Sequence, residues 1–138
     1  MAENVPDASM MAAVERLARF MTTRSDADLI GVFAEADVTI IENFAPYVFE
    51  GPDAVQKWAS GFRQHALGLA ELQQTFGPPQ DFSMDEDLAY LSLPTNWTGT
   101  SNGRRFSEDG GWAFVLVRHG NEWRVQNYGW AVTEYRLI

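Results

Sequence analysis

The chain has 138 residues and no cysteine, with ten basic against nineteen acidic side chains and a formal charge of −9. Disulfides and thiolate chemistry are thereby excluded, and nucleic acid and anionic membrane surfaces are disfavoured as partners. The length suits one domain with a sizeable core, and five Trp with nine Phe supply aromatics for a core, a pocket wall or a subunit face.

Residues 1–8 are polar, carry Pro6 and read as a flexible tail, leaving 9–138 as a single domain. No basic region followed by an apolar run opens the chain, and no run approaches the roughly 20 residues of a membrane span; a soluble, cytoplasmic protein is expected. A first helix is predicted over 9–23, with Met11, Val14, Leu17, Ala18 and Met21 as its inward stripe. Ser25 caps a short second helix that carries Leu29, Ile30 and Phe33, with Asp28 as its capping-box partner.

The stretch 33–62 organises the rest. A strand over 37–44 is β-branched in its middle, and alternation puts Val38, Ile40 and Glu42 on one face and Thr39, Ile41 and Asn43 on the other. A shorter extended piece covers 47–50. Gly51 then stands as the N-cap and Pro52 as the first residue of a third helix running to about Leu69, with Val55, Trp58, Ala59, Phe62, Ala66 and Leu69 as its stripe and His65 beside it.

Beyond that helix the texture changes to period two. Strands are expected over 71–76, 80–84, 88–100, 104–118 and 122–133, with 134–138 hanging off the sheet. Asn102-Gly103 is a strong hairpin signal, Gly120 marks a second turn, and Pro94 requires a bulge or an edge position. Helices segregated from an antiparallel sheet define an α+β fold: three N-terminal helices on a curved, mostly antiparallel sheet, a cone with a cavity at its open end.

These features resemble a known family. The FAEADVTIIE strand entry, the F-E-G-x-x-A-V-x-x-W helix opening (49–58) and the meander from Gly103 to Val125 resemble the nuclear-transport-factor-2-like superfamily, and within it the SnoaL-like polyketide cyclase and ketosteroid-isomerase-like proteins. The resemblance covers about residues 9–133. It implies the cone fold, a hydrophobic small-molecule ligand, a homodimer through the outer face of the sheet, and proton-transfer chemistry without a cofactor: isomerisation, cyclisation or dehydration. Fold alone does not choose among these activities.

Glu42 is the sharpest catalytic candidate. In steroid-isomerase-like members the sixth residue of a D-x-T-x-x-acid strand is the general base, and Asp37-Val38-Thr39-Ile40-Ile41-Glu42 places Glu42 there. The physical case is separate: a carboxylate among Ile and Phe loses hydration, and its pKa rises toward a range useful for moving protons. The plainer reading is a strand-end carboxylate that reaches water or pairs with an arginine.

His65 titrates near neutrality and is a candidate acid or base, against the plainer reading of a packed or solvated helix residue. Tyr47 is the third catalytic candidate. Trp58, Trp97, Trp112, Asn127 and Tyr128 are candidate substrate-binding residues, each set against a core role; Asn127 and Tyr128 alternate, so one of them faces away from the cone. Two departures from steroid isomerases stand out. The first helix has no Tyr, and 112–117 on the penultimate strand has no carboxylate, so an oxyanion hole of that type is missing. Replacement donors would come from Tyr47, Asn96, Trp97, Trp112, Asn127 or Tyr128. His65 and His119 lack metal-ligand spacing, and Asp85-Glu86-Asp87 reads as a solvated turn. The alternative to an enzyme is a non-catalytic ligand-binding or dimerisation module of the same fold, its cavity plugged by aromatics.

Overall fold

The computed structural model describes residues 5–138. Of the tail expected over 1–8, residues 1–4 lie outside the described residues. Asp7 already acts as a cap: its side chain accepts from the Met10 N–H at 3.0 Å, and helix α1 runs Ala8–Thr23. Its buried face is Met10, Ala13, Val14, Leu17, Ala18, Phe20 and Met21, so Met10 rather than Met11 points fully inward.

The described residues contain two α-helices, not three. The expected second helix is a single 3-10 turn, Asp26–Leu29, capped by Ser25. The chain leaves helical geometry at Ile30 (ψ 123°) and turns at Gly31 (φ 73°), where Arg16 of α1 donates to the Ile30 carbonyl. Phe33 then forms an isolated bridge to Val125.

Strand β1 is Thr39–Ile41 and β2 is Val48–Phe49. The segment Gly51–Asp53 is a turn, with Gly51 at φ 90°, and helix α2 runs Ala54–His65 with Asp53 as its N-cap. Gly51 is therefore not the cap, nor Pro52 the first helical residue. Helix α2 also stops four residues earlier than the apolar stripe suggests. Gly68 accounts for that: its carbonyl accepts from the Asn102 N–H at 2.8 Å, and a Cβ there would lie 2.4 Å from Asn102 Oδ1. The β5–β6 hairpin tip thus holds the chain in a turn, and Leu69 starts a strand instead of ending the helix.

Strands β3 (Leu69–Phe76), β4 (Asp81–Asp85), β5 (Leu88–Ser101), β6 (Arg104–His119) and β7 (Glu122–Leu137) follow. The seven-stranded sheet has the order β2-β1-β7-β6-β5-β3, with β4 also pairing β5. Every neighbouring pair is antiparallel except β1 and β7. Pro94 sits where β5 changes partner from β4 to β3: its carbonyl accepts from the Gly77 N–H at 2.8 Å, and its missing N–H falls in the gap between those two strands. Residues 134–137 do not hang free. They complete β7, pairing across to Asp109–Phe106 on β6.

Alternation assigns the faces. Leu91, Leu93, Thr95 and Trp97 on β5 and Phe106, Trp112, Phe114 and Leu116 on β6 are buried on the inner face. Bulges at Asp109/Gly110 and Val115/Leu116 bend the β6–β7 pair. Gly110 is needed at that bend, because a Cβ would lie 2.5 Å from the Trp130 ring. Trp58 of α2 fills the concavity against Phe20, Phe33 and Tyr128, with ring centroids 5.5, 5.5 and 5.9 Å away.

Candidate active site

Glu42 follows directly on β1, on the parity of Val38 and Ile40, and is 7% exposed. Its backbone N–H donates to the Tyr47 carbonyl at 2.9 Å, which closes the β1–β2 connection and fixes the carboxylate's direction. Parallel pairing of Ile40 with Tyr128 and Ile41 with Gly129 brings β7 alongside. Two side-chain donors then meet on one carboxylate oxygen: Trp58 Nε1 donates to Oε2 at 3.0 Å, and the Tyr128 hydroxyl donates to the same atom.

Burial raises the Glu42 pKa above the ordinary carboxylate range. The bonds from Tyr128, Trp58 and the Asn43 backbone pull the other way, and Glu108 pushes up further. Tyr128 is shifted well above an ordinary phenol, first by burial and then by the adjacent Glu42 charge, so it stays protonated and acts as a donor. The result is a carboxylate of raised basicity in a fixed orientation, which suits it to removing a proton from a bound molecule.

Glu42 lines a cavity of about 330 Å³ between α1, α2 and the inner face of the sheet. Aromatic and aliphatic side chains form most of its wall, among them Phe44, Phe62, Trp97, Phe106, Trp112 and Trp130. His65 is at the rim, its ring stacked on Phe44 with centroids 4.8 Å apart, and burial lowers its pKa. The imidazole is therefore more readily neutral than a free histidine.

Trp97 and Trp112 both line the cavity. The Trp112 Nε1 is buried without a hydrogen-bond partner. Trp58 and Tyr128 are behind Glu42 and reach it rather than the cavity wall. Two other candidates are elsewhere. Tyr47 is 58% exposed at φ 76° and does not line the cavity, because the β1–β2 connection turns its side chain outward. Asn127 has the opposite parity to Tyr128 and sits on the outer face, paired with Thr39 and Val115. Asn96 is also on the outer face, donating to Ser107 and Asp109 at 3.0 and 2.7 Å.

One site residue was not anticipated. Glu108 on β6 lines the same cavity as Glu42. Residues 112–117 indeed hold no carboxylate, but the penultimate strand supplies one earlier, at the parity of Phe106 and Trp112. That shared parity is the signal that would have found it. Burial raises the Glu108 pKa, opposed by a hydrogen bond from Trp130. Among the described residues, no three metal-ligating side chains converge.

No family model matches the sequence, and no curated protein matches it. Solved structures do. The hexachlorocyclohexane dehydrochlorinase LinA-type3 from Novosphingobium barchaimii superposes with a TM-score of 0.78 at 7% identity, covering 95% of this chain and 88% of its own. A ketosteroid isomerase-like protein from Erwinia carotovora superposes at 0.71 with 14% identity, covering 92% and 95%. A scytalone dehydratase-like protein from Novosphingobium aromaticivorans superposes at 0.70 with 14% identity, covering 91% and 85%. The chain has the nuclear-transport-factor-2-like fold: a curved open sheet, mostly antiparallel, with two helices.

Proposed function

We propose that this is a SnoaL-like, ketosteroid-isomerase-like protein that binds a hydrophobic small molecule in its cone and moves a proton on it without a cofactor. Isomerisation, cyclisation and dehydration are the reaction types of that class. The observation that carries the reading is Glu42: a buried carboxylate, held by Trp58 and Tyr128, at the wall of an aromatic cavity. Glu42 is the base. His65, at the rim, assists as acid or base, and the indole ring of Trp112 forms part of the apolar wall against which the substrate packs. Tyr47 and Asn127 have no part in it.

A thermal-shift screen of small ring carbonyl and hydroxy compounds identifies ligands, because a binder of the native state raises the melting temperature. On a substrate found that way, Glu42→Gln is expected to lower kcat by about 10²–10⁴-fold with the fold intact by circular dichroism. Turnover equal to wild type would dismiss the assignment. The pairing surface is the outer face of the sheet, where Ile41, Val48 and Tyr90 are exposed. Sedimentation should give a dimer, and a Tyr90→Glu variant a monomer. A wild-type monomer would remove the interface and leave the site reading standing.

A further inference from the structure

The cavity holds two carboxyl groups and nothing to neutralise them. No arginine or lysine is among its lining residues, and no ion pair among the described residues includes Glu42 or Glu108. His65, the one lining side chain that can become cationic, is biased toward its neutral form by burial. Glu42 has its two donors, Trp58 and Tyr128. A half-buried carboxylate without a counter-charge is costly unless a partner arrives from outside.

The surroundings of Glu108 have a specific character. It pairs across the sheet with Trp97 on one side and Tyr135 on the other. Both line the cavity, as does Trp130. Cross-strand pairs place side chains within about 5 Å at Cβ, so the carboxylate is flanked by aromatic rings. Aromatic faces and a carboxylate together are the chemistry that recognises an ammonium group. A neutral hydrophobic ligand would use the rings and leave Glu108 unmatched. An anion would meet two carboxyl groups with no cation among the lining residues to offset them. The molecule's net charge of −9 also draws cations toward it.

We propose that the cavity's ligand is a cationic amine with an apolar ring, its ammonium seated on Glu108 between Trp97, Trp130 and Tyr135. This rests on the cavity being a ligand site, as in the proposed function, and narrows the ligand class from hydrophobic to hydrophobic and positively charged. Glu108 holds the charge, and Glu42 remains the group that faces the reacting carbon.

The test uses three probes of one shape and three charges: 2-phenylethylamine, 2-phenylethanol and 3-phenylpropanoate, titrated by calorimetry at pH 7 into wild type and Glu108→Gln. Wild type is expected to bind the amine about tenfold or more tightly than the alcohol, and the propanoate not measurably. Glu108→Gln is expected to erase that preference while the alcohol's Kd stays within about twofold, which shows the cavity still folded. Equal affinity for amine and alcohol in wild type overturns the charge assignment and leaves the proton-transfer reading intact. A preference that survives in Glu108→Gln overturns it too. Binding of none of the three overturns both.

Discussion

Glu108 and Asp109 are neighbours on β6, and their chemistry is opposite. Glu108 faces the cavity, where burial raises its pKa and no cation answers it. Asp109 faces outward, where Asn96 first, and then Arg136, lower its pKa. One step along a strand reverses the face, and with it the strength of the acid. The difference teaches that the sheet keeps two kinds of carboxylate. Glu42 and Glu108, on the inner face, have their pKa values raised by burial, whereas Asp109, on the outer face, is answered by Asn96 and Arg136.

The largest way to break the contrast is at Glu42. Beyond the loss of turnover, Glu42→Gln is expected to melt higher than wild type at pH 7. The amide keeps an acceptor for Trp58 and Tyr128 while the buried charge is gone. The sign follows from linkage. A carboxylate whose folded pKa is raised stabilises fully below its unfolded value near 4.5, and that contribution is lost as pH rises through the folded pKa. The gap between variant and wild type should therefore close as melting scans move down toward pH 4.5. A gap that widens at low pH would reverse the assignment.

Next is Tyr128→Phe. It removes a hydrogen bond to a charged, buried acceptor and should cost about 1.5–3 kcal/mol in denaturant unfolding at neutral pH. The Glu42 pKa should move further up, shifting the acid limb of the pH–rate profile to higher pH. An unmoved limb would mean that the hydroxyl does not govern the base.

Smaller effects separate the adjacent pair directly. Glu108→Gln should raise Tm at pH 7 by about 1–3 °C, tempered by its partial exposure, with the gain vanishing toward pH 4.5. Asp109→Asn should do the reverse. It loses the Arg136 pair and should lower Tm by about 1 °C, less in high salt. Asp109 has its pKa lowered, so its contribution is present above the unfolded carboxylate value and fades as pH falls through the folded one. Shifts of the same sign in both variants would collapse the inside–outside distinction.

Strand parity was the most readable feature of the chain. It placed Glu42 with Val38 and Ile40 on a buried face, and it separated Asn127 from Tyr128. Glu108 was legible by the same rule, since it keeps step with Phe106 and Trp112. The resemblance to steroid isomerases points instead to 112–117, on the other side of the Asp109/Gly110 bulge. Element ends were less readable. Helix α2 stops at His65 because Gly68 packs on Asn102, and β7 continues to Leu137 because residues 106–109 offer it a ladder. Both partners are distant in sequence, so no local pattern announces them.

By itself the sequence determined the alternation of faces, the helix-then-meander order and the presence of an acid on the buried side of the first strand, because these depend on residues two to four apart. Only the tertiary structure decided what each acid meets. Tyr128 reaches Glu42 across 86 residues through the parallel pairing of β1 with β7. Trp97 and Tyr135 flank Glu108 because three strands align in one register. The strength of an acid is set by such neighbours and by lost water, and both come from long-range packing.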